Sequence, residues 1–336
     1  MNQIEVKELA AEKNVAQKAS HILNACQLQF VELMDINIPG MCYGIEVVGD
    51  QIYVSSVVRK NGGIWGEVYG KSLSGNSRFQ KIIGEISLRY PSIPICCNAD
   101  SNAILYVKAN ERRGTCIVRK NLKTGDESVF GDVPGVIFEN ISSLRLFDSH
   151  IAATDPLTNT AAFFGIDGNF IRAISFSPQV QCPICIEKLN GVGLLAGFLN
   201  KHCIYGRIES KADADSPKTY LAVTDDNGTI RQDITSVAEH VFTREPIVSM
   251  AKTEDGSFFI LTARHLVKLD NALNAAFYAD LPIWTRRICA FESELPGNSN
   301  FLGMACSGGR LFLMESMACK KILVFESGKS GKLLVK

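Results

Sequence analysis

Residues 43–57, Tyr-Gly-Ile-Glu-Val-Val-Gly-Asp-Gln-Ile-Tyr-Val-Ser-Ser-Val, decide the fold. Two runs rich in β-branched and aromatic residues meet at Gly49-Asp50, a dipeptide suited to a tight hairpin turn. A third run follows at 66–76, GEVYGKSLSGN, and ends in a second turn signal, Ser74-Gly75-Asn76. The unit is therefore strand, tight turn, strand, connection, strand, turn.

That order recurs along the chain. Turn dipeptides that lead into an apolar run stand at Gly49-Asp50, Ser101-Asn102, Asp148-Ser149, Asn190-Gly191, Asp255-Gly256 and Gly308-Gly309, separated by 52, 47, 42, 65 and 53 residues. A second set interleaves with them: Ser74-Gly75-Asn76, Thr124-Gly125-Asp126, Asp167-Gly168-Asn169, Asp226-Asn227-Gly228, Asp270-Asn271 and Ser327-Gly328. Four strands per unit in six units of about fifty residues predict an all-β fold, a six-bladed β-propeller. The physical reason is burial. One four-stranded sheet cannot cover both its faces, whereas six arranged radially cover each other and leave only short edges. The inner strands are expected near 44–49, 94–98, 142–147, 184–189, 247–252 and 301–306. The long 190–228 section leaves seven blades as the alternative count.

Residues 27–336 then form one propeller domain, and 1–26 a helical segment. Glu5 to Asn24 is rich in helix formers but carries a thin apolar stripe, which suits a helix on the rim. Leu28 to Ile36, LQFVELMDI, reads as a strand that completes the last blade and closes the ring; Lys332 to Lys336, KLLVK, competes for that place.

The unit at 43–57 and 66–76 resembles NHL-like six-bladed propellers. The likeness spans about 28–336 and lies in pattern rather than motif. The Gly-His and Trp-Asp signature of WD40 repeats does not recur, nor does the glycine doublet of kelch repeats. The resemblance implies two uses for such a fold. One is partner binding. The other is hydrolysis or lyase chemistry around an axial cation, which needs several oxygen ligands. Glu46 is the axial candidate, with Asn98 and Glu187 weaker. Leu144 or Arg145, Ala251 and Ala305 elsewhere in the ring are a poor oxygen cage.

Lys plus Arg and Asp plus Glu both number 35, so no bulk attraction to nucleic acid is expected. Neither a leader-like apolar stretch nor a long uncharged apolar run is visible, so the expectation is a cytoplasmic protein without membrane insertion. The 11 cysteines then read as reduced. Gln181 to Glu187, QCPICIE, offers a Cys-x-x-Cys pair. Cys182 and Cys185 with His202 and Cys203 make a nominal zinc set. Residues three apart on a strand point to opposite faces, so the favoured reading is small buried thiols, and no cofactor is expected.

The loops between second and third strands, and between blades, are read as long. They carry Arg59 to Trp65, Arg112 and Arg113. They also carry Asn200 to Lys218 with Tyr205 and Arg207, then Arg244, and 282–300 with Trp284, Arg286 and Arg287. Both tryptophans and an arginine cluster thus fall on one face, and these residue types dominate binding hot spots. The expected function is a non-catalytic module that binds a protein or peptide of acidic character through this face. The alternative is a propeller hydrolase or lyase with an axial metal site that includes Glu46.

Overall fold

A computed structural model describes residues 28–327 apart from 76, 99–101, 112–113, 132–135, 137, 148, 177–181, 192, 201–217, 263–264, 282–300 and 317–319. The N-terminal helix expected over 1–26 lies outside the described residues. The described strands form six sheets of four antiparallel strands, one of which takes in the N-terminal strand β1 (Leu28–Asp35). Blade one is β2 (Met41–Val48), β3 (Gln51–Lys60), β4 (Gly63–Ser72) and β5 (Gln80–Leu88). Blade two is β6 (Ile95–Asn98), β7 (Ala103–Ala109), β8 (Thr115–Asn121) and β9 (Glu127–Phe130). Blade three is β10 (Ser143–Phe147), β11 (His150–Asp155), β12 (Thr160–Gly165) and β13 (Phe170–Ser175). Blade four is β14 (Pro183–Lys188), β15 (Leu194–Leu199), β16 (Thr219–Thr224) and β17 (Ile230–Asp233). Blade five is β18 (Ile247–Lys252), β19 (Phe258–Thr262), β20 (His265–Leu269) and β21 (Ala275–Asp280). Blade six is β22 (Phe301–Ser307), β23 (Arg310–Glu315), β24 (Lys321–Ser327) and, returning from the start of the chain, β1.

The molecule is thus a six-bladed β-propeller. β1 pairs with β24 from Leu28 opposite Ser327 to Asp35 opposite Lys321, so the N-terminal strand closes the ring. The fourth strand of that blade thus comes from the other end of the chain, not from a hairpin partner following β24 as the repeat suggests. In the long section, β15 pairs directly with β14 and β16 across the 200–218 connection, which keeps the count at six. A short helical turn, Thr235–Ala238, runs into α1 (Glu239–Phe242) between blades four and five, an element the repeat did not announce. No helix among the described residues is long and apolar enough to cross a membrane.

The core is a set of six apolar layers, one between each pair of neighbouring blades. The second strands show how this works. On β23, Leu311 and Leu313 join the layer facing blade five, while Phe312 and Met314 join the layer facing blade one. On β7, Ile104 and Tyr106 face one neighbour and Leu105 and Val107 the other. A strand covered on both faces reads as a continuous apolar run, which is why AILYVKA and RLFLMES do not alternate. Among the described residues, the large apolar side chains that are exposed, Val31, Val129, Phe170, Ile171 and Tyr278, all lie on outermost strands. The hairpin at Gly308 and Gly309 has positive φ at both residues (58° and 71°), a backbone that glycine adopts without steric cost.

Hydroxyls tie blades together where the inner strands begin. Ser55 Oγ on β3 donates to Ile93 O, in the approach to blade two, at 2.6 Å, and accepts from Gly44 N at 2.8 Å. Thr154 Oγ1 on β11 donates to Ile184 O of blade four at 3.0 Å. The same device, a hydroxyl on a second strand reaching a backbone carbonyl of the next blade, serves two different joints.

Candidate functional site

The six inner strands run in the same sense around the axis, so residues at matching depth face one another. Arg145, midway along β10, projects across this channel. Its Nη1 lies 3.4 Å from Glu46 Oε1 on β2, and its Nε lies 3.0 Å from Glu187 Oε1 on β14. Its Nη2 donates to the Met250 carbonyl and to Ser249 Oγ on β18. One guanidinium from blade three thus contacts blades one, four and five.

The plug divides the axis into two recesses. The upper cup opens where the inner strands begin and holds about 300 Å³. Its wall mixes Tyr43, Ser92, Ser142, Ser143 and Ser249 with Leu144, Leu157, Val248 and Leu302, and Arg145 forms its floor. The lower funnel holds about 240 Å³ and is lined by Glu46, Cys96, Cys97, Glu187, Lys252 and Cys306. Lys252 stands at its rim, where Nζ donates to Lys188 O at 2.9 Å and to Asn190 Oδ1 at 2.8 Å.

Burial raises the Glu46 carboxyl to about 7; Arg145 opposes the rise and Glu187 adds to it. Burial also raises Glu187 to about 7, against the pull of Arg145 and Lys252. For Arg145, burial works against the charge, but Glu187 and Glu46 outweigh it and hold the guanidinium more basic than usual. Two acids thus compete for one base in a setting where neither is fully hydrated. The side chains of Glu46, Arg145 and Glu187 keep 19%, 16% and 9% exposure, so none of the three is wholly closed to solvent.

Glu46 was legible as a channel residue. The guanidinium that engages it was not, because Arg145 and Glu46 stand 99 residues apart. An axial cation would compete with Arg145 for the same carboxylate oxygen. Among the described residues no group of three or more His, Cys, Asp or Glu is placed to hold a metal ion.

Of the nominal zinc set, His202 and Cys203 lie outside the described residues. Cys185 is buried in β14 opposite Gly197, and burial pushes its thiol up to about 12. Cys182 is buried just before that strand. Cys96, Cys97 and Cys306 also sit on inner strands with thiols raised by burial, and Cys42 is pushed up to about 12. Protonated, enclosed thiols of this kind pack as small apolar groups.

Of the predicted binding face, Arg112, Arg113, Tyr205, Arg207, Trp284, Arg286 and Arg287 lie outside the described residues. Arg59 to Trp65 is not the long loop expected. β3 and β4 continue to a turn at Asn61-Gly62, and Arg59 pairs with Ile64 and Val58 with Trp65. The Asn-Gly pair closes the hairpin with positive φ at both residues (50° and 75°), so the flanking side chains belong to strands. Trp65 Nε1 donates to Lys60 O at 3.2 Å. Since β2 begins and β3 ends on the same side of the ring, Arg59 and Trp65 stand at the end where the cup opens. Arg244 is exposed just before β18 begins, on that side too.

No family model matches the chain, and no curated protein matches it. Solved structures do resemble it. A streptogramin B lyase is 12% identical with a TM-score of 0.52, over 89% of this chain and 98% of that one. The WD40 propeller domain of Doa1 is 11% identical with a TM-score of 0.52, over 90% and 98%. A chain of a nidogen–laminin complex is 11% identical with a TM-score of 0.50, over 85% and 92%. At these identities the likeness shows the fold alone: the class is the β-propeller, in agreement with the NHL-like pattern at the level of architecture.

Proposed function

We propose that this propeller is a binding module that receives a protein or peptide segment at the face where its inner strands begin. The blind cup above Arg145 carries this reading. At about 300 Å³ it has room for a side chain or two, and its hydroxyls among apolar walls suit a chain segment rather than an ion. Arg59, Trp65 and Arg244 stand around that end, and Trp284, Arg112, Arg113, Tyr205, Arg207, Arg286 and Arg287 complete the proposed face. Their charge favours an acidic partner.

The test compares capture of partners by the native chain, a W65A/R59A variant and a variant at Arg231, an exposed residue on the outermost strand of blade four. A partner held by the native chain and the Arg231 variant but lost by W65A/R59A supports the reading. Equal capture by all three sinks it.

A second reading is favoured by one observation. Two carboxyls held at about 7 on the wall of a funnel are poised for proton transfer near neutral pH. A hydrolase or lyase would then use Glu46 and Glu187, with Arg145 where an axial metal was anticipated. Turnover of a substrate that both E46Q and E187Q abolish, in folded protein, would move the assignment there.

A further inference from the structure

We propose that the Glu46–Arg145–Glu187 cluster is a proton-linked switch that sets the charge on the floor of the upper cup. With both carboxyls ionised the cluster carries two negative charges against one positive. One proton makes it neutral. A second leaves the guanidinium uncompensated beneath the cup.

The geometry supports this independently of any partner. Three different inner strands deliver the three groups, so the backbone cannot easily separate them. Arg145 touches one oxygen of each carboxylate, at 3.4 and 3.0 Å, and spends its remaining reach on Ser249 and the Met250 carbonyl. The surroundings supply little else to balance charge. Blade two presents Cys96 and Cys97, blade four Cys185 and blade six Cys306, all thiols that burial keeps protonated. Blade five presents Lys252, which is tied to Lys188 O and Asn190 at the rim and reaches Glu187 only through the field. The funnel, which both carboxyls line, gives protons a route from solvent, while Arg145 alone of the three lines the cup. The raised carboxyls, each near 7, put the transition at neutral pH, where the pair titrates as one coupled unit.

The switch deepens the reading of the cup as a binding recess: a carboxylate-bearing segment would meet a more positive floor as pH falls. Its test needs no partner, so its failure is separate from that of the binding reading. The full chain is labelled with ¹³C at the glutamate side-chain carboxyl and titrated by NMR from pH 5 to 9. The expected result is two carboxyl signals with midpoints near 7, one removed by E46Q and the other by E187Q. If one variant does not fold, the native titration with the other variant still decides. Glutamate signals that all titrate in the ordinary carboxylate range would overturn the proposal, as would two near-neutral signals that are both still present in a folded E46Q or a folded E187Q.

Discussion

Arg145 and Glu46 meet across the propeller axis at 3.4 Å, although a whole blade stands between theirs on the shorter side of the ring and 99 residues separate them along the chain. The contact exists because both side chains project inward at matching depth from strands that start at the same end. With Glu187 it turns an open channel into a cup and a funnel.

Removing the guanidinium should be costly in a pH-dependent way. Arg145→Met leaves Glu46 and Glu187 enclosed without their cation, a change worth about 3–5 kcal/mol when the acids are ionised. Urea unfolding at pH 8 should show that loss. At pH 5.5, where both carboxyls can take up protons, the loss should shrink by half or more. An equal loss at both pH values would mean that the residue acts through packing rather than charge.

The wild-type pH profile follows from the same groups. The folded-state values for Glu46 and Glu187 lie near 7, above the ordinary value of 4.5, so the native state binds more protons than the unfolded chain in that interval. Their contribution to stability is present below 4.5 and is lost as pH rises towards and through 7. Thermal melts of E46Q and E187Q should be flatter than wild type between pH 5 and 8. An unchanged slope in both would contradict the raised values.

Glu67 predicts the opposite limb. It is enclosed on β4, where Lys60 and Lys81 reach it at 2.9 and 2.7 Å and Tyr69 donates to it. Burial alone would raise this carboxyl, but the hydrogen bonds from Lys81, Tyr69 and Lys60 win and hold it at about 2. A depressed value stabilises the fold above the ordinary 4.5 and is lost as pH falls towards 2. E67Q should therefore lower stability at pH 7 and lose less than wild type on going to pH 3, as read from unfolding curves at both.

The inter-blade hydroxyls make a local prediction. Ser55→Ala removes the donor to Ile93 O and leaves the Gly44 amide without its acceptor, at a cost of about 1–3 kcal/mol. Ser55→Thr would keep the hydroxyl but add a methyl group at a fully buried position. Denaturant midpoints of the two variants separate loss of the bond from overpacking.

Mass-spectrometric mapping of alkylation checks the cysteines. Cys42, Cys96, Cys97 and Cys185 should stay unmodified by iodoacetamide in native protein and react fully in urea, because burial raises their thiols. A Cys185 that becomes reactive on adding a chelator, without unfolding, would restore the zinc reading of QCPICIE.

The periodic parts of the chain were readable because they obey local rules. Hairpin turns need particular backbone geometry, so Gly49-Asp50 and Gly308-Gly309 announce themselves. Strands covered on both faces need unbroken apolar runs, so AILYVKA and RLFLMES do as well. From these the blade count and the inner strands follow to within a few residues. The Asn61-Gly62 turn was misjudged because a longer polar stretch flanks it, and pairing across β3 and β4 extends further than composition alone suggests. The short helix before blade five escaped because its eight residues, 235–242, show no sustained helical period.

By itself, then, the sequence determined that this protein is a ring of four-stranded blades, since turn chemistry and apolar runs act over neighbouring residues. It also singled out Glu46 as a residue of the axis. Only the tertiary structure decided that β1 closes the ring and that Arg145 plugs the channel. It likewise brought Glu187 against the same guanidinium as Glu46, as a second acid. Ring closure and axial contacts join residues from distant blades, and their energies depend on depth, burial and opposing charge, none of which is encoded in sequence spacing.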